Sequence, residues 1–278
     1  MSATLSYIKK DSPIHRLTGS TKFIFFLIWS VAAMITYDTR VLVTMFLMGV
    51  IFFVMSGLKW KDIRFAVLFM TWLIVINLVA LYAFAPEQGV GIYGTRHEIV
   101  HLFWRYSIVA EEFFYLFNFM MKYLAVIPAA LLFILATNPS EFAASLNKIG
   151  VSYKVGYSVA IALRYIPDVQ RDFHEISQAQ QARGIDLSKK DKLTDRLKNS
   201  AAILFPLVLS SLQRIEVISN AMELRGFGKN KKRTWIVERP FKKCDYVAIL
   251  VAVLMLAVSA GFMVINGGRY FNPFVYKK

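Results

Sequence analysis

The chain has 278 residues, 56% of them hydrophobic and 15% aromatic, which is too apolar for a soluble globule and points to a bilayer as its solvent. Its one cysteine, Cys244, excludes an internal disulfide and any cysteine-based zinc knuckle. The net charge of +15 raises nucleic acid as a partner, so the distribution of the cations decides what that charge means.

In chain order, about twenty polar residues come first. Stretches long enough to cross a bilayer as helix then follow at about 19–37, uncharged but for Lys22, and at 41–58 and 65–86, uncharged throughout. A fourth, 113–136, is interrupted only by Lys122, and a fifth covers 245–268. No small-residue cleavage site separates the first stretch from the second, so the first is expected to remain as a span. Lys and Arg number four before the first span, one after it, then three, two, and nineteen between residues 137 and 245. That alternation is what the positive-inside rule predicts for a cytoplasmic N-terminus and an external C-terminus. The basic excess is thus topology and contact with membrane lipid, and no nucleic acid is expected. The predicted fold class is all-α, a polytopic membrane protein with five transmembrane helices and a cytoplasmic module of three helices. Its domains are a membrane part over 1–136, cytoplasmic helices over 137–244, a last transmembrane helix over 245–268 and an extracytoplasmic tail over 269–278.

The cytoplasmic block opens with Asn138-Pro139-Ser140-Glu141, a helix start with Asn as cap and Pro in the first turn. This first helix is predicted to end near Gly150. A second runs from about Tyr153 to Arg183, with one apolar stripe through Tyr157, Ile161, Tyr165, Val169, Phe173 and Ile176. Gly184 supplies a residue that tolerates a left-handed cap. After a charged linker over 186–195, a third helix carries the stripe Leu204, Val208, Leu212, Ile215, Ile218 and Met222 and ends at Gly226 and Gly228. The two long helices look parallel and are predicted to lie along the membrane surface, too polar on one face to span it. They end alike: Ala182-Arg183-Gly184 and Leu224-Arg225-Gly226 each follow an alanine four residues before the arginine. One such end is an ordinary helix terminus, with Arg complementing the dipole and Gly capping. Two of them suggest two equivalent receptor sites.

These tripeptides, with Ala162-Leu-Arg-Tyr-Ile-Pro167 upstream, Thr137-Asn-Pro-Ser-Glu141 and the segment Ser12 to Lys22, resemble the transmembrane T component of energy-coupling factor (ECF) transporters, which includes cobalt-importer membrane subunits. The resemblance covers nearly the whole chain. It implies two ATP-binding cassette ATPase subunits and a small substrate-binding membrane partner, the S component. It also implies that Arg183 and Arg225 dock in one ATPase each, flanked by Ala182, Gly184, Leu224 and Gly226. The second tripeptide begins with Leu224 where a small residue is commoner, which points to a less symmetric fit. On this reading the chain is a non-enzymatic coupling subunit of a vitamin or metal importer, and no cofactor is implied. Ser200, Ala201, Ala202, Ser210 and Ser211 would permit close helix approach, and Pro167 and Pro206 would bend the long helices.

The strongest competing signal is His97-Glu98-Ile99-Val100-His101. On a helix this string sets two imidazoles on one face for zinc with Glu98 as base, as in a membrane metallopeptidase. The charges Arg96 and Arg105 flank it where a membrane-embedded site would want apolar residues, so an incidental amphipathic loop helix is the expectation here. Lys122, within the fourth span, is expected to pair with Glu111, Glu112 or a lipid phosphate or to anchor a partner. The sequence carries no Walker motif, G-x-G-x-x-G or serine nucleophile elbow, so the chain itself is not expected to hydrolyse ATP.

Overall fold

The computed structural model describes residues 10–103, 106–184, 193–230, 235 and 239–274. In chain order its elements are α1 (Gly19–Ile35), α2 (Thr39–Met55), α3 (Trp60–Phe84), α4 (Gln88–Tyr93), β1 (Glu98–Phe103), β2 (Tyr106–Val109), α5 (Ala110–Ala136), α6 (Pro139–Lys148), α7 (Tyr153–Ala182), α8 (Leu193–Leu224) and α9 (Lys243–Ile265). They divide into two compact units, residues 1–141 with 239–278, and residues 142–238.

The first unit is a bundle of α1, α2, α3, α5 and α9. Its core is Trp29, Ala32 and Ala33 of α1, Val41, Leu42 and Met45 of α2, Ala125 and Ala129 of α5, and Met255 of α9. Small residues let α1 and α5 approach closely, and the Trp29 indole N–H donates to the Ala125 carbonyl at 2.9 Å. Without water to accept it, that donor needs an internal partner. The helix starts follow local chemistry. Thr18 caps α1 by accepting from the Thr21 amide, and Asp38 caps α2 by accepting from the Arg40 amide.

By length and composition, α3, α5, α9 and the Asn199–Leu224 part of α8 are each long and apolar enough to cross a membrane, whereas α1 and α2 are apolar but 17 residues long. The protein is an all-α membrane protein with a small hairpin. That α8 reaches the composition of a span departs from the expectation of a surface helix. The cause is its run Ala201 to Leu209, which holds no charge.

The expected loop helix at His97–His101 is a correction. Residues Glu98–Phe103 pair antiparallel with Tyr106–Val109 instead. The β-branched pair Ile99-Val100 favours a strand, and the hairpin is tied to the start of α5 by the Ala110 amide donating to the His97 carbonyl at 3.0 Å.

The chain after α9 straps this end of the bundle. The Tyr37 amide donates to the Arg269 carbonyl at 2.8 Å, Asn272 Nδ2 donates to the Tyr93 carbonyl at 2.9 Å, and the Tyr37 and Tyr270 rings stack at 4.7 Å. Arg40 lies over the rings of Phe262 and Phe271 at 4.8 and 4.1 Å while its guanidinium holds Asp38 at 2.7 Å. Burial works against the Asp38 charge, but the Arg40 and Asn266 hydrogen bonds outweigh it and hold the carboxyl below its usual range. Burial likewise pushes the Tyr93 phenol up to about 12.

In the second unit α7 and α8 lie side by side. Gln180 Nε2 donates to the Ala202 carbonyl at 3.2 Å, Arg214 pairs with Asp172 at 2.7 Å, and Tyr157 packs on Phe227 with ring centroids 5.1 Å apart. Residue numbers fall along α7 as they rise along α8, so the helices are antiparallel. This corrects the parallel expectation, and the reason is legible in the sequence. Ten residues join them, a reach of about 35 Å at full extension, whereas α7 is about 45 Å long. The chain cannot return to the start of α7 before α8 begins. The helices continue through Pro167 and Pro206. The linker residues 185–192 lie outside the described residues.

Candidate functional site

Both long helices end on a glycine with positive φ, +85° at Gly184 and +67° at Gly226. At α8 the Gly226 amide donates to the Glu223 carbonyl at 2.8 Å and the Phe227 amide to the Met222 carbonyl at 2.9 Å. These two bonds define a Schellman cap, in which a left-handed residue satisfies carbonyls that the helix leaves open. At α7 the Gly184 amide makes the corresponding bond to the Gln181 carbonyl at 2.9 Å. The two termini therefore share geometry as well as sequence, and in both the arginine is the last residue before the reversal.

Ala182, Arg183 and Gly184 are exposed, as are Leu224 and Arg225, while Gly226 is half-buried. Leu224 keeps 89% of its surface open, an apolar side chain that the described residues leave almost uncovered. Phe227, just past the cap, tethers the end of α8 by packing on Tyr153 and Tyr157 at the start of α7. It follows that the structure does not bring the two tripeptides together. They stand at opposite ends of the helix pair, about 40 Å apart by helical rise. Between them a groove of about 430 Å³ runs along α7 and α8, lined by Ile161, Tyr165, Val169, Ile215, Ile218 and Met222. These residues belong to the two predicted stripes.

The competing zinc arrangement fails on backbone geometry. His97 precedes β1 and His101 lies within it, and chain extended over that spacing separates their Cα atoms by about 13 Å, where a helix would hold them about 6 Å apart on one face. The His97 ring also meets Glu111, whose carboxylate accepts from the His97 amide at 3.0 Å and the Thr95 hydroxyl at 2.9 Å. Among the described residues no group of three or more His, Cys, Asp and Glu is placed to hold a metal ion.

Lys122 pairs with neither Glu111 nor Glu112. Its ammonium donates to the Met34 carbonyl at 2.9 Å and lies 3.7 Å from the Tyr37 ring centroid. It closes the last turn of α1, a place where a cation complements the helix end. Glu112 accepts from the Gly89 amide at 2.6 Å.

Sequence reasoning missed a second polar knot. Lys22 is buried and donates to the Ala136 carbonyl at 2.7 Å, tying the start of α1 to the end of α5. Asp245 accepts from the Thr18 amide at 2.9 Å and the Lys242 amide at 2.8 Å, tying α9 to the same place. The available signal was a lysine and an aspartate each at the threshold of an apolar run.

A bundle of apolar helices, a paired-helix unit with two matching exposed ends, and no assembled catalytic group among the described residues define a multi-pass membrane subunit of the kind that works in a larger assembly. The chain belongs to the CbiQ family, described as cobalt transport protein, whose model matches residues 10–235, and it is the transmembrane T component of an ECF transporter. Over 266 residues it is 29% identical to the energy-coupling factor transporter transmembrane protein EcfT of Clostridium kluyveri, covering 91% of this chain and 93% of that protein. It is 26% identical over 265 residues to the EcfT of Streptococcus thermophilus, covering 91% and 94%, and 25% identical over 261 residues to that of Brevibacillus brevis, covering 91% and 94%. It is a non-catalytic subunit, ATP hydrolysis belonging to partner subunits.

Proposed function

We propose that this chain couples two ATP-binding cassette ATPases to a small substrate-binding membrane protein, with Arg183 and Arg225 as its two handles. The observation that carries the reading is the pair of matching caps, exposed and about 40 Å apart by helical rise. One ATPase seated on each end needs that separation. Arg is always charged and presents a planar fork of donors, so it suits a carboxylate or carbonyl groove better than Lys. Ala182 and Gly184 on one side and Leu224 and Gly226 on the other shape the fit. When ATP draws the two ATPases together, the handles move with them, and the Asp172–Arg214 bridge and the Gln180 contact make α7 and α8 respond as a pair. The apolar groove and stripes are the surface through which that motion reaches the substrate-binding partner. The cargo is a vitamin or a metal ion, cobalt being the one that the family description carries, and its selection rests with the partner.

The topology that goes with this reading has five spans, α1, α2, α3, α5 and α9, with the N-terminus and α6–α8 cytoplasmic and the C-terminus outside. Cys244, in the first turn of α9, is the sole thiol of the chain and is exposed, which makes it a natural reporter. In intact cells a membrane-impermeant maleimide should leave it unlabelled. Labelling from outside would mean that α8 crosses the bilayer and would overturn the coupling role.

The direct experiment is affinity purification in mild detergent with mass spectrometry of wild type against Arg183→Glu/Arg225→Glu. Two ATPases and a small membrane protein should accompany the wild type, and the ATPases should be lost from the double variant. Retention of both ATPases by the double variant would sink the handle assignment.

A further inference from the structure

A groove of about 610 Å³ opens at the end of the first unit where α1, α9 and the N-terminal turn begin and where α2 and α5 finish. The volume is that of a small-molecule site, ~300–1,000 Å³. Its interior is apolar, with Phe25 of α1, Phe52 and Met55 of α2, Leu132 and Phe133 of α5, and Val251 of α9. Its mouth is basic, with Arg16, Lys22, Lys242 and Lys243 against the single carboxylate of Asp245.

These charges are not equivalent. Lys22 is turned inward to the Ala136 carbonyl and lies 3.9 Å from Glu141. Asp245 is committed to the Thr18 and Lys242 amides. The remaining mouth cations, Arg16, Lys242 and Lys243, are exposed, and Asp11 offsets Arg16 alone, at 2.9 Å. Lys242 and Lys243 thus set the sign of the field at the mouth. From Lys243 to Val251 the groove follows eight residues of α9, about 12 Å into the bundle. A ligand that fits has an aliphatic chain for the interior and an anionic head at the mouth.

We propose that this groove is a specific site for one anionic glycerophospholipid, with an acyl chain between α1, α2, α5 and α9 and its phosphate held by Lys242, Lys243 and Arg16. Basic pockets between membrane helices bind anionic headgroups in this way. The site is independent of how the ATPases dock, since no residue of it belongs to α7 or α8.

The test uses the full-length chain, delipidated in mild detergent and titrated with phosphatidylglycerol or phosphatidylcholine while retained lipid is counted by native mass spectrometry. Wild type should hold phosphatidylglycerol about 25-fold more tightly, about fivefold per lysine. Lys242→Gln/Lys243→Gln should erase that preference, and Ala248→Phe, which fills the groove, should reject both lipids. Cys244 lines the groove, so in unaltered protein its maleimide labelling should slow with phosphatidylglycerol and not with phosphatidylcholine, a readout that needs no variant to fold. Equal retention of the two lipids, a preference that survives the double substitution, or phosphatidylglycerol still bound to Ala248→Phe would each overturn the proposal.

Discussion

The central helix of the membrane bundle and the α7–α8 pair use their side chains in opposite ways. In the membrane bundle α5 alone buries twelve residues, including Glu111, Glu112, Asn118 and Lys122, and its buried cation and both buried carboxylates meet groups of the same unit. In the second unit α7 buries only Tyr153, Gly156 and Ser177, while Leu212, Ile215, Val217 and Leu224 of α8 remain more than half exposed. An apolar stripe that its own unit does not cover is specified for something else. Helix α5 is therefore written for the stability of its own unit, and the helix pair for its neighbours.

The sharpest way to break that contrast is to truncate one residue on each side. Trp29→Ala removes the largest fully buried side chain and its bond to Ala125, and should cost about 3–5 kcal/mol, read as a large drop in melting temperature in detergent. Leu212→Ala, at a side chain 56% exposed, should change the chain's own stability by less than about 0.5 kcal/mol while weakening recovery of the membrane partner. Equal melting shifts for the two would mean that the units do not differ in this way. Next in size, Arg183→Ala or Arg225→Ala should weaken ATPase docking by about 2–4 kcal/mol, and Arg183→Ala should leave the melting of the isolated chain unshifted. Arg183→Lys should also weaken docking, because charge survives and the fork does not. A melting shift of Arg183→Ala without loss of ATPase would reassign that arginine to the fold.

Much of this contrast is legible in the sequence because it rests on local rules. The apolar runs mark the helices, the 3.6-residue stripes mark α7 and α8, and the glycines that end them have the positive φ that their positions require. The first long helix, expected from about Tyr153 to Arg183, is found at Tyr153–Ala182. What was not legible depends on partners remote in sequence. Lys122, expected to pair with Glu111, Glu112 or a lipid phosphate or to anchor a partner, meets a carbonyl of α1, 88 residues away. Lys22 reaches a carbonyl 114 residues away. The hairpin at 98–109 was hidden by a histidine spacing that also suits a helix. The antiparallel order of α7 and α8 is written in the length of their connection, which is too short for α8 to begin beside the start of α7.

A smaller effect isolates the cap from the handle. Among the described residues a Cβ at Gly184 would meet nothing within 4 Å, so Gly184→Ala is penalised there only by its φ of +85°, about 1–2 kcal/mol for a left-handed alanine. Gly184→Asn should cost less, because Asn tolerates that conformation. If docking of the first ATPase follows these costs while Arg183 is intact, the cap orients the handle. Should Gly184→Ala and Gly184→Asn dock alike and as wild type, the cap is dispensable for docking.

The smallest effect tests the far end of the bundle by pH. Asp38 is 1% exposed and Arg40 is 50% exposed, so water replaces part of any lost pairing, and Asp38→Asn should cost up to about 1 kcal/mol at neutral pH. Burial raises the carboxyl's pKa, and the Arg40 and Asn266 bonds overcome that to leave it lowered. With a folded value below the unfolded one of about 3.9, the folded protein binds the fewer protons in this range. The stability that the charge contributes is therefore complete above the unfolded value and is lost as pH falls through the folded one. The melting gap between wild type and Asp38→Asn should be full at pH 7 and close in acid below about pH 4. A gap that persists or widens there would mean that the carboxylate's shape, and not its charge, holds Arg40 between Phe262 and Phe271.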